Sequence, residues 1–108
     1  MSEQGLQEIR DCSKKYAEAK ADRVYLEHYR KSLKSILMKE YEAGNKTSIA
    51  QEREAYADKR YIELLDGLKV ATEIESKCFW ELKIAEMKFE AWRTRQATKR
   101  AEKSRYGA

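Results

Sequence analysis

Residues 61–92 read YIELLDGLKVATEIESKCFWELKIAEMKFEAW, and their spacing decides the fold. Tyr61, Leu64, Leu68, Ala71, Glu75, Cys78, Leu82, Ala85, Phe89 and Trp92 follow one another by alternating steps of three and four. Such alternation is the seam of a helix that packs along another helix, with one apolar stripe returning every 3.5 residues. Only Glu75 interrupts it with a charge. The chain has no proline, so no ring removes a backbone donor inside the run. The spacing therefore predicts one long helix from about Asp58 to about Ser104.

A second stripe, Gly67, Val70, Ile74, Ile84, Met87 and Ala91, lies beside the first and widens the apolar sector to about half the helix circumference. One partner helix cannot cover that width. An isolated hairpin leaves Val70, Ile74, Ile84 and Trp80 in water, whereas a dimer that forms a four-helix bundle buries them. The alternative is a monomer in which the short second helix folds over the stripe. Trp80 is the expected interface anchor, with Met87 and Trp92 contributing, since large aromatics carry much of the energy where helices meet.

Upstream, a first helix is predicted over 3–43 and ends at Gly44-Asn45, residues that tolerate the left-handed conformation. Its apolar residues are Leu6, Ile9, Cys12, Tyr16 and Ala19, then Leu26, Tyr29, Leu33 and Ile36. Ser48 followed by Gln51 matches a capping box and opens a short helix over 49–57. Asp58 then either caps the long helix at a tight corner or sits in a kink of one continuous helix. The fold class is all-α: a long, coiled-coil-like antiparallel hairpin with a short intervening helix, a single domain over 1–108, dimerising into a bundle.

An antiparallel bend centred near residue 51 sets Glu75 opposite residue 27, within reach of His28 or Arg30. A carboxylate at a seam must be paired or protonated, because burying its charge alone is costly, so Glu75 is expected to fix register. The same bend sets Cys12 opposite residue 90, about 18 Å out of register with Cys78 at a rise of ~1.5 Å per residue, so both are expected as reduced thiols.

Composition excludes more than it assigns. Charged residues make up 39% of the 108 and mean hydropathy is strongly negative, yet the apolar positions are regular, which separates the chain from a disordered one. No apolar run approaches the ~20 residues that span a bilayer, and the N-terminus MSEQGLQEIRDC has no apolar signal core. The expected protein is soluble and cytoplasmic, with no membrane partner. There is one histidine, no glycine-rich phosphate loop, no nucleophile elbow and no paired ligands at metal spacing. The Glu-x-x-His pattern of di-iron bundles is missing, because Tyr25 stands three residues before His28. No enzyme, no catalytic residue, no metal, no cofactor and no small-molecule substrate are expected.

Residues 93–108 hold Arg93, Arg95, Lys99, Arg100, Lys103 and Arg105 against Glu102, a local charge of +5 in a chain whose total is +4. Cations complement the negative end of a helix macrodipole. They are equally the candidate phosphate contacts of a nucleic-acid-binding helix, with Trp92 and Tyr106 near enough to stack on bases.

The stretches REAYADKRYIELLDGLKVA (53–71) and FWELKIAEMKFEAWRTRQATKR (79–100) resemble small helical proteins of unassigned function encoded by tailed bacteriophages. The likeness covers roughly residues 53–100 and rests on helical spacing with Trp and Arg landmarks. It implies an accessory factor or inhibitor that acts on a host or phage protein of DNA metabolism or host defence, inside the host cytoplasm. No site residue is carried over by it. The function expected is therefore a non-enzymatic interaction protein, with direct nucleic-acid binding through the basic C-terminal helix as the alternative.

Overall fold

A computed structural model of the chain describes residues 2–44 and 46–106. Three helices account for almost all of them: α1 over Ser2–Glu42, α2 over Ser48–Ala57 and α3 over Lys59–Arg105. Each bound lies within one residue of the expected one, and no described residue is in a strand. The fold is an all-α helical hairpin. All ten seam positions from Tyr61 to Trp92 are buried or half-buried. By contacts the chain divides into two compact units, Glu18–Glu75 and Met1–Ala17 with Ser76–Ala108.

The Glu18–Glu75 unit holds the best-packed core. Leu33, Leu37, Ala55 and Tyr61 are buried together, with Met38, Tyr41 and Leu64 against them. Leu37 is fully enclosed at 0% exposure, as is Ala55, whose short side chain lets α2 approach closely. α2 starts one residue earlier than the S-x-x-Q pattern suggested. Thr47 is the N-cap, its Oγ1 accepting from the Ala50 amide at 3.2 Å, and Gln51 instead donates to the Lys46 carbonyl at 2.9 Å. Thr and Ser cap alike, so the residue at the true boundary takes the role. Gly44 donates to the Tyr41 carbonyl at 3.2 Å, while Asn45 of the expected Gly44-Asn45 stop lies outside the described residues.

Asp58 makes a corner rather than a kink. Its backbone is extended (φ −65°, ψ 136°), its Oδ1 accepts from the Arg60 amide at 2.8 Å, and its carbonyl accepts from Tyr61 and Ile62. Tyr41 donates its hydroxyl to Asp58 Oδ2 at 2.8 Å, and Arg60 reaches both Asp58 and Glu40. Hydrogen bonds from Arg60 hold the Asp58 carboxyl well below the usual carboxylate range. The end of α1 is thereby tied to the start of α3.

That tie places Glu40 beside Arg60 and shifts the pairing from the expected register. Glu75 meets neither His28 nor Arg30. It accepts two bonds from Arg23, Nε to Oε2 and Nη2 to Oε1, the latter at 3.1 Å, and this pairing pushes its carboxyl pKa down. A bend centred on residue 51 misses this by about one helical turn. The seam of α1 differs as well. Tyr29 and Ile36 are exposed, whereas Arg30 and Leu37 occupy the inward positions; two arginines, Arg23 and Arg30, stand where an apolar count finds nothing to mark.

In the other unit Gly5, Ile9, Cys12 and Tyr16 of α1 turn inward, and Leu6 is exposed. Tyr16 meets Phe79 edge-on at 5.7 Å. Gly5 lets Phe89 in: a Cβ there would lie 2.9 Å from Phe89 Cδ2. Both thiols are free and half-buried, but Cys12 falls between the contacts to Phe79 and Phe89, so it does not face residue 90 as the symmetric bend implied.

Candidate interaction surfaces

Three surfaces remain once the core is assigned, one apolar in each unit and one cationic. In the Glu18–Glu75 unit, α2 packs on Leu33, Leu37 and Tyr61, and Lys34 reaches across to Glu52 and the ring of Tyr56. The opposite flank of the helix pair carries no such cover. There Tyr25 and Leu26 of α1 and Gly67, Val70, Ala71 and Ile74 of α3 line an open groove of about 340 Å³, with Asp22 at its edge. Val70 is 53% exposed and Ile74 49%. Tyr25 and Tyr29 stack at 6.2 Å with rings almost parallel, and both are exposed. The space that a side chain at Gly67 would enter is empty within 4 Å. The face thus has protruding aromatic edges and a notch.

In the other unit Trp80, Ile84 and Met87 are exposed on α3, Trp80 at 59%. They follow at steps of four and three, with Ala91 four further on, so they share a side of the helix that points away from the α1–α3 seam. Trp80 rests edge-on against Phe79 at 5.3 Å. Trp92 behaves differently: it is half-buried and tilted against Phe89 at 5.9 Å, closing the apolar part of the seam. Tyr25 and its stacking on Tyr29 were not anticipated from the sequence; the i, i+4 pair of tyrosines was the available signal.

The six cations of the C-terminal segment all stand on α3 and are all exposed. Arg93 pairs with Glu90 at 3.1 Å; among the described residues no other of the six has an acidic partner within salt-bridge distance. The described residues also contain no group of three or more His, Cys, Asp or Glu placed to hold a metal ion. No described helix is long and apolar enough to cross a membrane. The chain matches no protein-family model, no curated protein and no solved structure.

Proposed function

We propose that the chain is a non-enzymatic interaction protein and that its working form is a homodimer joined through the Tyr25–Ile74 face. One observation carries this: α2 covers one flank of the hairpin and leaves the other flank apolar, grooved and exposed. Contiguous apolar surface rimmed by charge marks an association site in a soluble protein. A second copy suits it because the same patch offers both a projection, Tyr25 on Tyr29, and a recess at Gly67. A twofold axis makes such a patch its own complement. The likeness of residues 53–100 to phage-encoded helical proteins supports an accessory or inhibitory role towards a protein of DNA metabolism or host defence.

Sedimentation equilibrium over about one to several hundred micromolar, the range where association of about −5 to −8 kcal/mol is visible, tests the dimer. The expected result is a monomer–dimer equilibrium that Ile74→Glu abolishes while the monomer keeps its helicity, since an exposed position tolerates a charge to within about 0.5 kcal/mol. A monomer at every concentration overturns the proposal.

A further inference from the structure

The heptad positions of α3 do not stop at Trp92. Continuing the same steps gives Gln96, Lys99 and Lys103, so the stripe that buries Ala85, Phe89 and Trp92 passes into amide and ammonium groups. An apolar helix cannot dock on that continuation without burying unpaired charge. Arg95 and Arg100 flank it, and from Arg93 to Tyr106 every residue except the half-buried Gln96 is exposed. At ~100° per residue, Arg93, Arg95, Lys99, Arg100 and Lys103 fall within a sector of about 160°. The other side of the helix is mostly small and uncharged, with Ala97, Ala101, Thr94, Thr98 and Ser104, and carries Glu102 at its edge and Arg105 in its last turn.

From these features we infer that the 93–105 segment of α3 binds the phosphate backbone of duplex DNA. Charge complementarity gives the class of ligand, and three details select among polyanions. A membrane-surface helix needs Leu, Phe or Trp opposite its cations, and this one has Ala, Thr and Ser. Single-stranded nucleic acid is held mainly by aromatic stacking platforms, and residues 93–105 contain no aromatic; Trp92 is already packed on Phe89. A helix with a small-residue back is slim enough for a groove ~12 Å wide. Thirteen residues at ~1.5 Å make a rod of about 20 Å, along which duplex DNA presents about a dozen charges at one per ~1.7 Å. The segment's five clustered cations are thus outnumbered by phosphates and all find partners. This segment shares no residue with the dimer face, so the two proposals fail independently.

Fluorescence anisotropy of a labelled random-sequence duplex with the full chain tests it. With five phosphate contacts, log K should fall against log salt with a slope of about −4.5, a loss of roughly 500-fold between 50 and 200 mM. The variant K99Q/R100Q/K103Q should flatten the slope to about −1.8, at ~0.9 per contact removed. The charge-matched variant K14Q/K15Q/K31Q, altered at exposed positions of α1, should keep the wild-type slope. Circular dichroism verifies that both retain helix. No binding at 50 mM salt, or equal loss in both variants, overturns the inference. So does binding of oligo-dT, of anionic vesicles or of polyglutamate as tight as that of duplex at equal charge, which would assign the segment to single strands, lipid or an acidic protein.

Discussion

Leu37 and Ile36 are neighbours in sequence and nearly identical in bulk, yet one is fully enclosed and the other 49% exposed. Truncating each to alanine therefore measures the register of α1 directly. Leu37→Ala removes a side chain enclosed by Leu33, Ala55 and Tyr61 and leaves a cavity that α2 cannot easily close, so the cost is about 3–4 kcal/mol, within the range for buried leucines. At ~4–8 °C per kcal/mol for a domain near this size, the melting midpoint drops by at least ~12 °C. Ile36→Ala forfeits only partial burial, about 1 kcal/mol, and regains a few tenths because alanine is the better helix former. The two should differ by ~2 kcal/mol or more in urea unfolding followed by far-ultraviolet circular dichroism. Running the series at several protein concentrations separates any part of the Ile36 cost that belongs to association between copies. Equal costs, or a larger cost at Ile36, would refute the placement of Leu37 at the centre of the core.

Two further substitutions test local geometry. Thr47→Ala should cost about 1 kcal/mol, as loss of an N-cap does, while Ser48→Ala should stay within ~0.5 kcal/mol because Ser48 is already inside α2; thermal melts of the pair decide which residue caps. Gly5→Val should destabilise even though valine is the better helix former, because its Cβ would lie 2.9 Å from the Phe89 ring. Combining it with Phe89→Ala should recover part of the loss, a coupling that a double-mutant cycle reads directly.

What the sequence made legible was the long-period information. Ten positions in three-four alternation over the thirty-two residues from Tyr61 to Trp92, interrupted in character only by Glu75, left no other secondary structure available, and each of the ten is buried or half-buried. The first helix was harder for a definite reason: its seam contains Gly5, Arg23 and Arg30. A count of apolar residues slides past Gly5 to Leu6 and past Arg30 to Tyr29, and the three-four steps from Tyr29 then lead to Ile36 in place of the inward Leu37. Glycine at a close approach and arginine at a half-buried ion pair are structurally inward but chemically inconspicuous. The register between helices was illegible because it depends on the Tyr41–Asp58–Arg60–Glu40 corner, which is assembled from residues up to 20 apart. The apolar flank at Val70 and Ile74 could be read, but its other wall, Tyr25 and Tyr29, could not be assigned until that register was known.

The charged seam residues also make an asymmetric prediction. Both oxygens of Glu75 are held by Arg23, but Arg23 has a second acid, Glu27, at 2.9 Å. Glu75→Leu therefore leaves the guanidinium with a partner and adds apolar area to the seam, whereas Arg23→Leu leaves a carboxylate, 15% exposed, facing a hydrocarbon side chain. Removing one member of an enclosed pair is damaging chiefly through the partner left behind, so at pH 7 Arg23→Leu should lower the urea midpoint more than Glu75→Leu. The order should depend on pH in a fixed direction. In the wild type the Glu75 and Asp58 carboxyls are held below their ordinary range, so their stabilisation is complete above the unfolded carboxylate pKa of about 4 and fades as pH falls through the folded values. In Arg23→Leu the depressing partner of Glu75 is gone, and desolvation raises the Glu75 pKa instead. Acidification then neutralises the stranded charge, and the gap between Arg23→Leu and Glu75→Leu should narrow from pH 7 to pH 3. A gap that persists unchanged at pH 3 would mean that Arg23 contributes by the packing of its stem along the seam, and that its ion pair with Glu75 does not set the register.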